Sequence, residues 1–151
     1  MLSFIVTLFP LTAYSQESTF ARVNVVRSFA DGKDISRMSI ENGQCLQFYN
    51  QGGDIMFANN YIKANSKSYG RIFNIEYRNL CEKSYSMSEM FHFKWNWKNS
   101  FDNENGTADV YIKIVTGKDG TAARVVIVSG NLENILDYAG VFNGSLDKIK
   151  K

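Results

Sequence analysis

The feature that most constrains this chain is the regular return of turn signals. Asp31-Gly32-Lys33-Asp34, Glu41-Asn42-Gly43, Gln51-Gly52-Gly53-Asp54, Asn103-Glu104-Asn105-Gly106, Gly117-Lys118-Asp119-Gly120 and Ser129-Gly130-Asn131 cut it into short apolar runs. Such spacing is the mark of an antiparallel sandwich or barrel. The only proline is Pro10, so nothing beyond it removes a donor from a sheet ladder. Val, Ile, Tyr and Phe are abundant, and they suit a pleated, half-buried surface.

Between the turns the apolar period is two, the repeat of a strand with one face buried. Ala21, Val23 and Val25 share a side, with Arg22 and Asn24 opposite. Leu46 with Phe48, and Ile55 with Phe57, mark two short strands. In RIFNIEY, Phe73, Ile75 and Tyr77 fall on one face by simple alternation, and Asn74 and Glu76 on the other. The intervening ANNYIKANSKSYG has no sustained apolar stripe and reads as a polar connection.

The C-terminal half is the clearest part. Met90 to Lys98 is a strand, Val110, Ile112 and Ile114 line up in DVYIKIVT, and GKDG returns the chain into ARVVIVSG, whose near-continuous apolar run suggests a central or doubly covered strand. ILDYAGVF fits a strand with Leu136, Tyr138 and Phe142 aligned better than a short helix, because Gly140 and Val141 are poor helix formers. The expected fold is mainly β, an antiparallel sandwich or small barrel of roughly seven to nine strands with a C-terminal meander and little helix.

Residues 1–15, MLSFIVTLFPLTAYS, are uncharged, mostly apolar and end in Ala13-Tyr14-Ser15, the pattern of a secretory leader cleaved before Gln16. The run is shorter than the about 20 residues of a membrane span. It departs from a standard leader only in lacking a Lys or Arg ahead of the apolar run, a feature a start upstream of Met1 would supply. The expectation is therefore a secreted or periplasmic protein, with a single β-rich domain over residues 16–147 and a solvated basic tail over 148–151. No integral membrane segment remains after cleavage. An exported chain meets oxidising conditions, so Cys45 and Cys81 are expected to form a disulfide, worth roughly 4 kcal/mol for a loop of that size.

The formal charge is only +2, with Lys and Arg scattered among Asp and Glu. This points to neither nucleic acid nor membrane as a partner. Chemistry-bearing motifs are few. His92 is the only histidine, which excludes multi-histidine metal sites, and alternation places it on the polar side of its strand with Lys94 and Asn96. No G-x-S-x-G accompanies it. Asp102-Asn103-Glu104-Asn105-Gly106 fails the helical calcium-loop pattern, because Gly106 is fifth from Asp102 and Lys113 stands twelfth; a looser site would draw on Asp102, Glu104 and Asp109. Gly52-Gly53 lacks phosphate-loop spacing. No catalytic set, metal or cofactor is expected.

One stretch stands out. FHFKWNWK places Phe91, Phe93, Trp95 and Trp97 at every second position, with His92, Lys94, Asn96 and Lys98 between them. At 14% aromatic content, four rings in such a row are expected only about 0.01 times by chance in a chain of this length. The charged opposite face must meet water, so the rings are expected to point inward, with Glu89 as the one polar interruption of their face. Lining of a ligand site and an open platform are the alternative roles for Phe91, Phe93, Trp95 and Trp97.

Together these features favour an exported, non-catalytic β-sheet module that binds a protein, peptide or glycan. A barrel carrying a small apolar ligand comes second, and it requires a cavity of several hundred cubic ångströms. A hydrolase using carboxylates such as Glu76, Glu89 or Asp102 comes third; it requires two of them within about 5 to 10 Å in one cleft.

Overall fold

The computed structural model of the protein describes residues 18–80, 87–130 and 133–150. The leader read in residues 1–15 lies outside these. Nine strands follow in order: β1 (Ser18–Ala30), β2 (Lys33–Asp34), β3 (Gln44–Gln51), β4 (Asp54–Tyr61), β5 (Ser66–Leu80), β6 (Met87–Asn99), β7 (Asn105–Gly117), β8 (Gly120–Ser129) and β9 (Asn134–Gly144). Among the described residues one α-helix, α1 (Ser36–Glu41), sits between β2 and β3, and Asp147–Ile149 forms a 3-10 turn.

All neighbouring pairs are antiparallel, and β1 also pairs with β9 from Ala21↔Gly144 to Ala30↔Leu136. The sheet therefore closes into an eight-stranded up-and-down barrel, with β2 as a short addition along the end of β1. Closure removes the exposed strand edges that an open sheet would present. Because the strands alternate in direction, one end carries α1 and the turns after β4, β6 and β8, and is called the upper end here. The other carries the start of β1 and the 3-10 turn.

An eight-stranded barrel has an interior just wide enough for side chains to fill, and among the described residues rings pack the middle of this one. Phe48, Phe57, Phe91 and Phe93 are fully buried, and Trp95 is 3% exposed. Phe48 and Phe57 lie 4.9 Å apart between centroids, Phe57 and Trp95 5.0 Å, and Phe57 and Phe93 5.7 Å, the last two edge to face. The Trp95 indole N–H donates to the Phe57 carbonyl at 3.0 Å, joining β6 to β4 across the interior. Small residues on other strands, Ala21, Ala108 and Ala123, make room for the rings. At Gly70 the fit is closest: a Cβ there would meet the Asn96 carbonyl oxygen at 1.5 Å, so only glycine fits.

The upper mouth is stopped, and the lower one keeps a depression of about 280 Å³ bordered by Glu89, Ile114, Thr116, Thr121, Phe142 and Leu146. At the upper end the buried hydroxyls of Ser28 and Ser39 meet at 2.5 Å, and the Ser28 amide donates to Ser36 Oγ, holding α1 against β1. Beneath α1, Gln44 Nε2 donates to Asn59 Oδ1 at 2.7 Å, and Asn59 Nδ2 donates to the Tyr138 hydroxyl at 3.1 Å. Burial, with Tyr61 beside it, pushes the Tyr138 phenol well above its ordinary pKa. At the lower end the 3-10 turn inserts Leu146 and Ile149 into the core.

Several sequence expectations change here. ANNYIKANSKSYG is strand at both ends, not a connection, because Asn59 satisfies its amide inside the barrel and only a short turn separates β4 from β5. Phe73 does not share a face with Tyr77. Asn74 adopts φ 51°, and the register steps from Phe73↔Lys94 to Glu76↔His92, so β5 carries one extra residue and its parity flips. β8 is covered on one side only; Ala123, Val125 and Ile127 face the core. The residues read as a solvated basic tail from Lys148 instead include fully buried Ile149, and Lys150 pairs with Glu89 at 2.6 Å and Asp147 at 2.7 Å.

The expected bridge between Cys45 and Cys81 is not shown. Cys45 is a free thiol, 1% exposed, and Cys81 lies outside the described residues.

Candidate functional site

Phe91, Phe93 and Trp95 belong to the barrel core, and Trp97 packs against it half-buried beside Gly106. The row is the inner face of β6, as its alternation implies. Its outer face holds the polar residues, and there the structure builds a site that the aromatic row overshadows in the sequence.

The cross-strand register sets His92 opposite Tyr111 on β7 and Glu76 on β5. The imidazole and phenol rings stack at 4.4 Å with planes 2° apart. Facing pairs on adjacent strands stand close enough for this contact. His92 Nε2 lies 2.8 Å from Asp109 Oδ1, and Nδ1 lies 3.4 Å from Glu76 Oε2. Asp109 also accepts from Lys94 Nζ at 2.9 Å. The extra residue at the β5 bulge is what brings Glu76 level with His92.

Lys94 foremost, then His92, donates to Asp109 and holds its carboxyl below the usual range, so it stays ionised. Around His92 lies a surface depression of about 220 Å³ lined by Glu76, Tyr77, Arg78, Met90, Phe91, His92 and Tyr111. It offers an acceptor in Glu76, whose side chain is 79% exposed, a donor in Arg78, the Tyr111 phenol and the apolar Met90. That mixture suits recognition: a few directed polar groups beside apolar surface. The lining residues include no Ser, Thr or Cys to act as a nucleophile on His92.

The carboxylates named from the sequence do not converge. Glu89 is at the lower end, accepting from the Tyr77 hydroxyl at 2.9 Å and paired with Lys150. Asp102 turns back onto the Glu104 amide in the β6–β7 loop. Glu76 and Asp109 do bracket His92, but Glu76 alone of the two lines the depression, so they do not face each other across one cleft. Asp102, Glu104 and Asp109 form no common cage, and no group of metal-ligating side chains occurs among the described residues. The signal for the His92 cluster was present in the sequence as alternation alone; Asp109 and Tyr111 become neighbours only through the β6–β7 register.

No family model, curated protein or solved structure matches this chain.

Proposed function

We propose that the protein is an exported, non-catalytic binding module that meets a protein, peptide or glycan partner on the outside of its barrel, over the β5–β7 wall around His92. The observation that carries this reading is the ring-packed middle of the barrel. Rings in mutual contact occupy the space that a carrier would reserve for its ligand, which disfavours the small-molecule carrier. The wall, in contrast, offers the depression beside Glu76, Arg78, Met90 and Tyr111. Export rests on the leader read in residues 1–15.

Site-specific photo-crosslinking in the native host is the test. A photoreactive residue at Met90 or Tyr111 is expected to capture one discrete partner, whereas the same residue at Val26 or Val141, exposed on β1 and β9, is expected to capture none. Equal capture from all four positions, or from the second pair alone, would refute the wall as the recognition surface.

A further inference from the structure

The barrel closes around its middle, but its strands are staggered, and the stagger leaves β1 overhanging at the upper end and β5 at the lower. β1 pairs with β3 only as far as Asn24. That overhang is covered: β2 pairs with Phe29 and Ala30, the Ser28 carbonyl accepts from the Ile35 amide at 2.9 Å, and the Ser28 amide donates to Ser36 Oγ. The overhang of β5 has no such cover. β4 pairs with β5 only from Ser66 to Arg71, and beyond that β5 pairs with β6 alone, down to Leu80.

Along Phe73 to Leu80, roughly 26 Å of strand, the backbone donors and acceptors that point away from β6 meet no partner among the described residues. A bare edge of this length is a template for another strand, and proteins usually blunt one with Pro, Lys, a bulge or a covering loop. IFNIEYRNL holds neither Pro nor Lys. The bulge at left-handed Asn74 interrupts only the near part of the edge. From Glu76 to Leu80 the register with β6 runs without a break, and Glu76, Arg78 and Asn79 are exposed.

The charges on this edge select what fits it. A two-fold axis normal to the sheet pairs β5 with a second β5 reciprocally. It must pass through a residue, because an axis between two residues would pair an inner-face position with an outer-face one. Centred on Tyr77, it sets Glu76 opposite the partner's Arg78 and Arg78 opposite the partner's Glu76. Centred on Glu76 or on Arg78, it sets like charges against each other, and centred on Ile75 it runs the ladder through the Asn74 bulge. Opposite charges across paired strands attract and like charges repel, so the Tyr77 register is the one the sequence favours.

We infer that β5 pairs antiparallel with β5 of a second copy of this chain about an axis at Tyr77, joining two barrels through one continuous outer wall. Main-chain bonds along Ile75 to Asn79 hold the copies together, and the Glu76 and Arg78 charges set the register. Glu76 serves both neighbours: Oε2 is the atom beside His92, and Oε1 is left for the partner's Arg78. The seam lies in the plane of the sheet, whereas the proposed recognition lies over its face, where Met90 and Tyr111 stay exposed. The dimer therefore goes beyond the proposed function, and it sets two His92 depressions side by side.

Sedimentation equilibrium of the purified mature chain tests the inference. A seam this short falls at the weak end of specific interfaces, so a monomer–dimer equilibrium with Kd of roughly 1–100 µM is expected. Glu76→Arg and Arg78→Glu are each expected to weaken it about tenfold or more, because either change sets like charges opposite each other on both sides of the axis. Both changes in one chain are expected to restore it, and a mixture of the two single variants to associate where neither does alone. Both side chains are exposed, so the variants keep the fold. Arg37→Glu, at a side chain 92% exposed on α1, is expected to change nothing. A chain still monomeric at about 500 µM, single reversals without effect, or a mixture that fails to associate would each overturn the dimer. In photo-crosslinking from Met90 or Tyr111, a product of twice the chain mass reports the dimer and any other mass reports an outside partner, so the two readings fail separately.

Discussion

Gly140→Ala puts the closure of the barrel under direct strain. Gly140 pairs with Val25 across the β1–β9 seam, and a Cβ there would stand 2.0 Å from the Asn24 carbonyl oxygen and 3.0 Å from Val23 Cγ1. Carbon-to-oxygen contacts settle at about 3.3 Å or more, so the two backbones must part by roughly an ångström. Overpacking of this kind costs about 1–3 kcal/mol, and stretching one or two seam hydrogen bonds adds about 1 kcal/mol each. A loss of about 2–5 kcal/mol is a large share of the 5–15 kcal/mol typical of a domain, and corresponds to a fall in Tm of roughly 5–20 °C. Urea unfolding followed by tryptophan emission measures it, with Gly117→Ala as the control. An added Cβ at Gly117 meets nothing within 4 Å, so that variant is expected within about 0.5–1 kcal/mol of wild type. Gly140→Ala matching the control would refute the closed β1–β9 seam.

Trp95→Phe is expected to cost about 1–3 kcal/mol, because it leaves the buried Phe57 carbonyl without its donor, while Trp97→Phe costs less; equal losses in the two unfolding curves would contradict the cross-barrel bond. Ile149→Ala is expected to destabilise by about 2–5 kcal/mol and Lys148→Ala by little, and a silent Ile149→Ala would restore the solvated tail. Asp109 has its pKa lowered in the folded chain by Lys94 and His92. Its ionised form therefore favours folding above about pH 4, and that contribution vanishes as pH falls through the folded value. The stability gap between wild type and Asp109→Asn is accordingly largest near neutrality and narrows below about pH 4; a gap independent of pH would show that the carboxylate is not the group at work.

What the sequence made legible was period and punctuation. β6, β7 and β9 were readable because Phe91, Val110, Tyr138 and their neighbours alternate without fault and are bounded by turn residues. Barrel and sandwich could not be told apart, since the deciding contact, β1 with β9, joins strands more than a hundred residues apart. Alternation misled at β5, where the left-handed Asn74 inserts a residue and reverses parity. It also missed the strand ends around Asn59, whose polarity is satisfied by Gln44 and Tyr138, partners no local window contains. α1 passed unnoticed because its six residues are anchored by Ser28 and not by a stripe of their own. Of the candidate site, only the outward direction of His92 was visible; its bracket by Glu76 and Asp109 depends on a bulge and a register.

The proposed recognition on the outer wall requires a barrel with no room for a guest, and Trp95 reports on that interior directly. In a Trp97→Phe variant, the single remaining tryptophan is expected to emit in the blue, to resist acrylamide, and to show no saturable change when the protein is titrated with fatty acids or other slender apolar ligands. A saturable, one-to-one change in Trp95 emission would mean that the core opens to a guest, and the carrier would then replace the binding module.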